Sequence, residues 1–271
     1  MIPPTATGGA PRASHRRTTA VRWRTLLTPP RDGVSNMALD EALMRWARER
    51  GEAVFRVYAW SRPTLSLGRN QTARGRYDTE RAARAGIDIV RRPTGGRAVL
   101  HHREVTYSVA APADALGPLG ESYRHINRLL LDGLRRLGVD AREAAPSGTA
   151  PRPGVAPCFE TPVAGEITVA GRKLVGSAQV RDDGALLQHG SILVDDDQAL
   201  ASTLLVRPAE PPPPPATLSS ALGRAPAPGE VARALFDALG PAAPLAFDAA
   251  LDAAVHAARA RYADPAWTWR R

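Results

Sequence analysis

The 271-residue chain contains one cysteine, Cys158, and one lysine, Lys173. A lone cysteine excludes an internal disulfide, fits a reducing compartment, and leaves a thiol for chemistry or simple burial. Lysine is scarce although the chain is basic: the other 35 basic side chains are arginine, and the formal net charge is +9. Aromatic residues make up only 5 % and are not interleaved with a basic block. With no helix-turn-helix, zinc or RNA-binding signature either, the charge points away from nucleic acid and toward acidic protein partners. No apolar run approaches the roughly 20 residues that span a bilayer. Residues 1–20 carry Arg12, Arg16 and Arg17 with no apolar block after them, so a disordered leader is expected there rather than a secretory signal. The expectation is a cytoplasmic protein with no membrane or nucleic-acid partner.

What is present suffices for a sizeable core, since 44 % of residues are hydrophobic. Ser35 is placed to cap a helix from Asn36 to Arg50, with Leu39, Leu43, Trp46 and Ala47 on one face and Gly51 ending it. Residues 53–60 alternate like a strand, and a second short strand lies in 64–71. Asp78 caps a short helix that Gly86 stops. Residues 87–112 read as strand, Gly-rich turn, strand, tight turn, strand; a long helix then runs from Gly120 to Leu137. The pattern EITV-AG-RKLVGSAQV is a hairpin with a two-residue loop, and RDDG turns the chain into LLQHGSILV. A short helix over Gln198–Val206 precedes the proline run 208–216, which suits only a stiff extended spacer. Two Ala-rich helices, about 228–239 and 246–261, close the chain. The predicted class is α+β, with a central mixed, largely antiparallel sheet flanked by helices. The organisation expected is a leader (1–20), a catalytic domain (21–207), the spacer (208–216), and C-terminal helices (217–271) packing on the same domain.

The stretch from Cys158 to Ser191 holds both singletons, fifteen residues apart. Lysine is a compact point charge with three donors, whereas arginine is a wide planar fork. One lysine kept in an arginine-rich chain marks a place where arginine does not serve. Thr94, Gly95 and Gly96 form a turn whose bare backbone can approach a ligand. Gly176, Ser177 and Ala178 are small residues on a strand that leave room for an apolar tail.

The blocks SNMALDEALM (35–44), PTLSLGRNQ (63–71), RRPTGGRAVLHHREVTYSV (91–109) and GRKLVGSAQVRDDGALLQHGSILVD (171–195) resemble the lipoate-protein ligase and octanoyltransferase family, grouped with the biotin ligases. The resemblance runs from about residue 22 to 206. It implies an α+β domain akin to class II aminoacyl-tRNA synthetase catalytic domains. The segment APCFE around Cys158, and Arg97 after the glycine pair, are similar to the cysteine-dependent octanoyltransferase branch. His102 stands where that family carries an aspartate after the histidine, which removes a carboxylate from that position in the pocket.

The resemblance implies that Cys158 takes an octanoyl group from acyl carrier protein and passes it to a lysine of a lipoyl-type domain, such as glycine cleavage H protein or a dehydrogenase E2 subunit. It implies that Lys173 contacts the acyl carbonyl, with no metal or cofactor. Substrate-binding residues are expected at Arg92, Thr94, Gly95, Gly96, Arg97, His101, Gly176, Ser177 and Ala178. A thiolate needs a nearby cation, for which Lys173, Arg91, Arg92 and Arg97 are candidates. His101 is a candidate base or a buried hydrogen-bonded residue, and His189 is expected to be structural or pocket-lining. The alternatives are an ATP-dependent lipoate ligase that forms an acyl-adenylate, and an amidotransferase between lipoyl-type proteins. A biotin ligase and a non-catalytic binder of lipoylated domains fit less well.

Overall fold

The computed structural model describes residues 21–144, 165–207 and 209–271. The first part comprises β1 (Arg22–Leu27), α1 (Gly33–Arg50), β2 (Glu52–Tyr58), β3 (Thr64–Leu67), α2 (Thr79–Arg84), β4 (Asp88–Arg91), β5 (Val99–His101), β6 (Glu104–Pro112), α3 (Leu119–Arg136) and β7 (Arg142–Glu143). After it come β8 (Ile167–Val169), β9 (Arg172–Asp182), β10 (Ala185–Leu193), α4 (Ala199–Thr203), α5 (Leu218–Leu222), α6 (Pro228–Leu239), β11 (Ala243–Pro244), α7 (Ala249–Ala263) and α8 (Pro265–Thr268).

Local chemistry explains the joints. Two-residue hairpin loops of the I′ kind need positive φ at both central residues. Ala170 (49°) and Gly171 (74°) supply this between β8 and β9, and Asp183 (47°) and Gly184 (72°) between β9 and β10. The α1 helix starts earlier than its sequence suggests. Asp32 is the cap, accepting from the Ser35 N–H at 2.8 Å, and the Ser35 hydroxyl also donates to Asp32. A carboxylate three residues ahead out-competes the serine for the orphan amide. The helix expected over Gln198–Val206 is confined to Ala199–Thr203.

Eight strands form the main sheet in the order β11-β1-β2-β6-β10-β9-β8-β7, and β4-β3-β5 form a smaller one. Pairings β11–β1 and β1–β2 are parallel; those from β2 through β7 are antiparallel. The class is therefore α+β with a mixed, largely antiparallel sheet.

Strand alternation assigns the two faces of the main sheet different tasks. Phe55 and Val57 on β2, Tyr107 and Val109 on β6, and Leu186 and Ile192 on β10 face α3 and α6 in a dry core. Each fully buried side chain of that size contributes about 1.5–3 kcal/mol. The intervening positions Arg56, Tyr58, Thr106, Ser108, His189 and Ser191 lie on the other face, toward α1. All six are buried. Polar residues thus alternate with apolar ones inside the protein, where water cannot explain the pattern. α7 packs on α1 from outside, so α1 buries residues on both sides.

The proline run has no helix or strand from 209 to 216, and it ends docked: the Ala216 N–H donates to the Lys173 carbonyl at 3.0 Å. Among the described residues no helix is long and apolar enough to cross a membrane.

Gly190 is where β10 passes closest to its neighbours. A Cβ there would lie 2.3 Å from the Gly176 carbonyl oxygen and 2.8 Å from the Tyr107 ring. Gly190→Ala is expected to cost about 1–3 kcal/mol through forced backbone shifts. Urea unfolding checks this, and an unchanged midpoint would contradict so close a packing.

Candidate active site

A cleft with about 420 Å³ of free space, mouth included, opens on the polar face of the sheet. Its walls include Met37 from α1, Trp60, Gly96, Gly176–Ala178 from β9, and His189 from β10. Two histidine clusters meet there.

In the first, His101 lies flat against Trp60, with ring centroids 4.1 Å apart. Its Nδ1 is 2.7 Å from Glu104 Oε1, and its Nε2 is 2.7 Å from the Ser66 hydroxyl. The Trp60 indole donates to Thr106 at 2.7 Å, and the Thr106 hydroxyl donates to Glu104 Oε1. Glu104 is 5 % exposed, and its Oε2 has no hydrogen-bond partner. An unsatisfied buried acceptor is costly, so this oxygen can still take a hydrogen bond from a donor. Glu104, two residues beyond His102, thus puts a carboxylate on His101. His102 itself turns to Asp197, 2.6 Å away.

In the second cluster, His189 Nδ1 is 3.0 Å from Asp40 Oδ2 and its Nε2 is 2.6 Å from the Thr94 hydroxyl. Asp40, fully buried, also accepts from Arg56 at 2.7 Å, Ser108 at 2.8 Å and Tyr58 at 3.1 Å. Burial pushes the Asp40 carboxyl up, but Arg56, His189 and Ser108 together outweigh it and hold it below the ordinary aspartate value. Burial pushes the His189 imidazole down, beyond what Asp40 restores. In the neutral ring, Nδ1–H donates to Asp40 and Nε2 accepts from Thr94.

The Gly-rich turn is braced from both sides. Arg92 donates to the carbonyls of Ser66 (2.9 Å), Gly95 (2.6 Å) and Arg97 (2.7 Å). Gly68 presses so close that a Cβ on it would come 2.0 Å from the Gly96 oxygen.

Lys173 is 3 % exposed on β9, and its Nζ donates to Glu166 Oε1 at 2.7 Å. A cation and a carboxylate that are both desolvated persist only as a close pair. The cleft wall begins three residues further along the strand, about 10 Å at ordinary rise.

Of the residues singled out in the sequence, Arg92, Gly96, His101, Gly176, Ser177 and Ala178 line one cleft. Thr94 reaches it through His189, whereas Gly95 and Arg97 sit on the turn behind the lining. Cys158 lies outside the described residues. Asp40, Arg56, Trp60, Glu104 and Glu166 escaped sequence reading. The available signal was polar residues at alternate positions of otherwise apolar strands, as in FRVYAW and REVTYSV.

The sequence profile of the lipoyl protein ligase A/B catalytic domain matches residues 32–240. The chain belongs to that family. Among family relatives, an octanoyltransferase LipM of Kyrpidia tusciae is 48 % identical over 192 residues, covering 67 % of this chain and 70 % of the relative. An octanoyltransferase LipM of Symbiobacterium thermophilum is 43 % identical over 225 residues, covering 74 % and 79 %. The family fold is also seen in the bipartite lipoate protein ligase of Thermoplasma acidophilum, solved in a study of that ligase and its E2 lipoyl domain. That structure superposes with a TM-score of 0.74 at 22 % identity, over 92 % of this chain and 96 % of the other.

The depressed imidazole has a consequence for stability. Unfolded chains protonate histidine near pH 6.5, while the folded protein keeps His189 neutral to a lower pH. Its contribution is therefore complete above about pH 6.5 and is lost as pH falls toward the folded value. Between about pH 7.5 and about pH 5.5, the wild type should lose more unfolding free energy than His189→Gln. Equal losses in urea titrations would mean that His189 is not held neutral.

Proposed function

We propose that the protein transfers an octanoyl group from acyl carrier protein, through a thioester on Cys158, to a lysine of a lipoyl-type acceptor domain in protein lipoylation. The acceptor class is that of glycine cleavage H protein or a dehydrogenase E2 subunit. In this reading residues 21–207 and 217–271 act as one catalytic body in the cytoplasm, without metal or cofactor. The observation that carries the proposal is the buried Lys173–Glu166 pair, on the strand whose next turn of small residues walls the cleft. The names of the LipM relatives supply the acyl group.

The chemistry balances without ATP. The Cys158 thiolate attacks the donor thioester carbonyl; a new C–S bond forms, the old one breaks, and the departing thiolate takes up a proton. Exchange between thioesters is near thermoneutral. The acceptor lysine then attacks as a free amine; a C–N bond forms, the Cys158 thiolate leaves, and the ammonium proton goes to a base. Splitting one hard transfer into two steps is the gain of covalent catalysis.

Lys173 is the group for the oxygen that becomes negative in both tetrahedral intermediates. Glu166 holds its Nζ at 2.7 Å and so fixes where the ammonium points. His101, held at Nδ1 by Glu104, is the base that takes the proton from the incoming lysine. Gly176 and Ala178 leave the slot open for the tail, where each methylene contributes ~0.8 kcal/mol.

Intact mass after incubation with octanoyl-acyl carrier protein, with ATP omitted, should show one octanoyl adduct on the wild type and none on Cys158→Ala. Acceptor modification that depends on ATP and shows no adduct would instead make the protein a ligase. Lys173→Ala should slow acyl transfer by ~10²–10³. Glu166→Gln should also slow acyl transfer, by less than Lys173→Ala, because the ammonium loses the carboxylate that holds it in place.

A further inference from the structure

Much of the arginine on this protein is paired. Arg22, Arg48, Arg84, Arg103 and Arg224 each have a carboxylate within 4.0 Å. One patch departs from this. The loop 68–74 and the segment after α8 bring together Arg69, Arg74, Arg91, Arg270 and Arg271.

Arg91 is completely buried at its centre. It donates Nε–H to the Thr268 carbonyl at 2.8 Å and Nη1–H to the carbonyls of Gly68 (2.5 Å) and Gln71 (2.9 Å). Its Nη2 is buried without a hydrogen-bond partner. Burial and the charges of Arg270, Arg271 and Arg92 push its guanidinium down to about 10. Arg270 lies over the Trp267 ring at 4.1 Å and donates to the Arg69 carbonyl. Arg74 donates to the Trp269 carbonyl at 3.1 Å. Their acceptors are backbone oxygens. Among the described residues no Asp or Glu side chain lies within ion-pair distance of Arg74, Arg91, Arg270 or Arg271; the Arg271 main-chain oxygen accepts from the Ala73 (3.0 Å) and Arg74 (2.9 Å) N–H, and the acid at the edge is Asp182, 2.9 Å from Arg69. Arg74, Arg270 and Arg271 are exposed.

Crowding five guanidinium groups beside a single acidic side chain costs folding free energy that an arriving polyanion returns. The patch also adjoins the cleft. The Arg69 N–H donates to the Thr94 carbonyl at 2.7 Å, and Gly68 packs on Gly96, which lines the cleft.

We propose that this arginine patch is the docking surface for the acidic domain that carries the acceptor lysine. A domain seated there presents a protruding lysine at the Gly-rich turn, at the edge of the cleft. Exposed guanidinium forks suit carboxylates, which they can bind with two parallel hydrogen bonds, and their joint field speeds encounter at low salt. Assigning the docked domain to the acceptor rests on the octanoyl-transfer reading.

The test is a direct binding titration of a labelled, acidic lipoyl-type domain, without acyl donor, against wild type, Arg74→Glu/Arg270→Glu and Arg128→Glu/Arg136→Glu. The last pair makes the same charge change on α3. The patch variant should bind at least about tenfold more weakly and show a flatter salt dependence, while the α3 variant stays within about twofold. Equal weakening by both variants, no weakening by the patch variant, or duplex DNA that displaces the domain at lower concentration would overturn the proposal. Hydrogen exchange on the wild type tests the same contact without a variant: the domain should protect 69–74 and 268–271, and protection elsewhere alone would overturn it. Adduct formation from a small octanoyl thioester should match wild type in the patch variant. Its failure in both proteins would remove the octanoyl reading and leave the binding result standing.

Discussion

A buried ion pair, Arg56 with Asp40, sits where α1 crosses the centre of the main sheet, and the cleft is arranged around it. Neither side chain has measurable exposure. Removing two charges from water is expensive, and a well-packed apolar pair of similar volume is often as stable. Here the cost is offset by saturation. Asp40 accepts from Arg56, Ser108 and Tyr58 and faces His189, while Arg56 also reaches Asn36 and Thr28. What the pair adds beyond stability is direction. It fixes which nitrogen of His189 carries the proton, and His189 in turn fixes Thr94 at the start of the Gly-rich turn. The turn's position is thereby set from the sheet's middle rather than by the loop alone.

The same sheet separates packing from chemistry by strand alternation. One face supplies the apolar core under α3 and α6; the other supplies His189, Thr106, Ser108 and Ser191 to a polar layer under α1, which His101 from the small sheet and Trp60 join at the cleft. The one lysine of the chain stands buried beside Glu166. Under the proposed mechanism an ammonium serves both that carboxylate and an acyl carbonyl, which suits it better than the wider guanidinium fork. Elsewhere arginine is sufficient, and under the docking proposal its fork is the better group for an acidic partner at the patch beside the Gly-rich turn.

Much of this architecture was legible in the residues. Loop chemistry at Ala170-Gly171 and Asp183-Gly184 located the hairpins, and spaced blocks around TGGR and GRKLVGSA indicated the family. Other features depend on contacts that periodicity does not encode. β1 and β11 pair in parallel across more than two hundred residues of chain, and β7 is two residues long. The α1 start went to Asp32 because a carboxylate outbid the serine. Glu104 and Glu166 carry no mark in sequence that sets them apart from other acids. Only the fold shows them buried, one on His101 and the other on Lys173.

The central claim is that Lys173, held by Glu166, bonds to the oxygen of the acyl group during transfer. The most direct measurement is isotope-edited infrared spectroscopy of the octanoyl-enzyme, carbon-13 labelled at the carbonyl, for wild type and Lys173→Met. A thioester carbonyl polarised by a buried ammonium absorbs at lower frequency than one without that partner. The expected result is a lower carbonyl frequency in wild type than in Lys173→Met, with Glu166→Gln also departing from wild type. Identical carbonyl frequencies in wild type and Lys173→Met would contradict the claim and leave the lysine a structural residue.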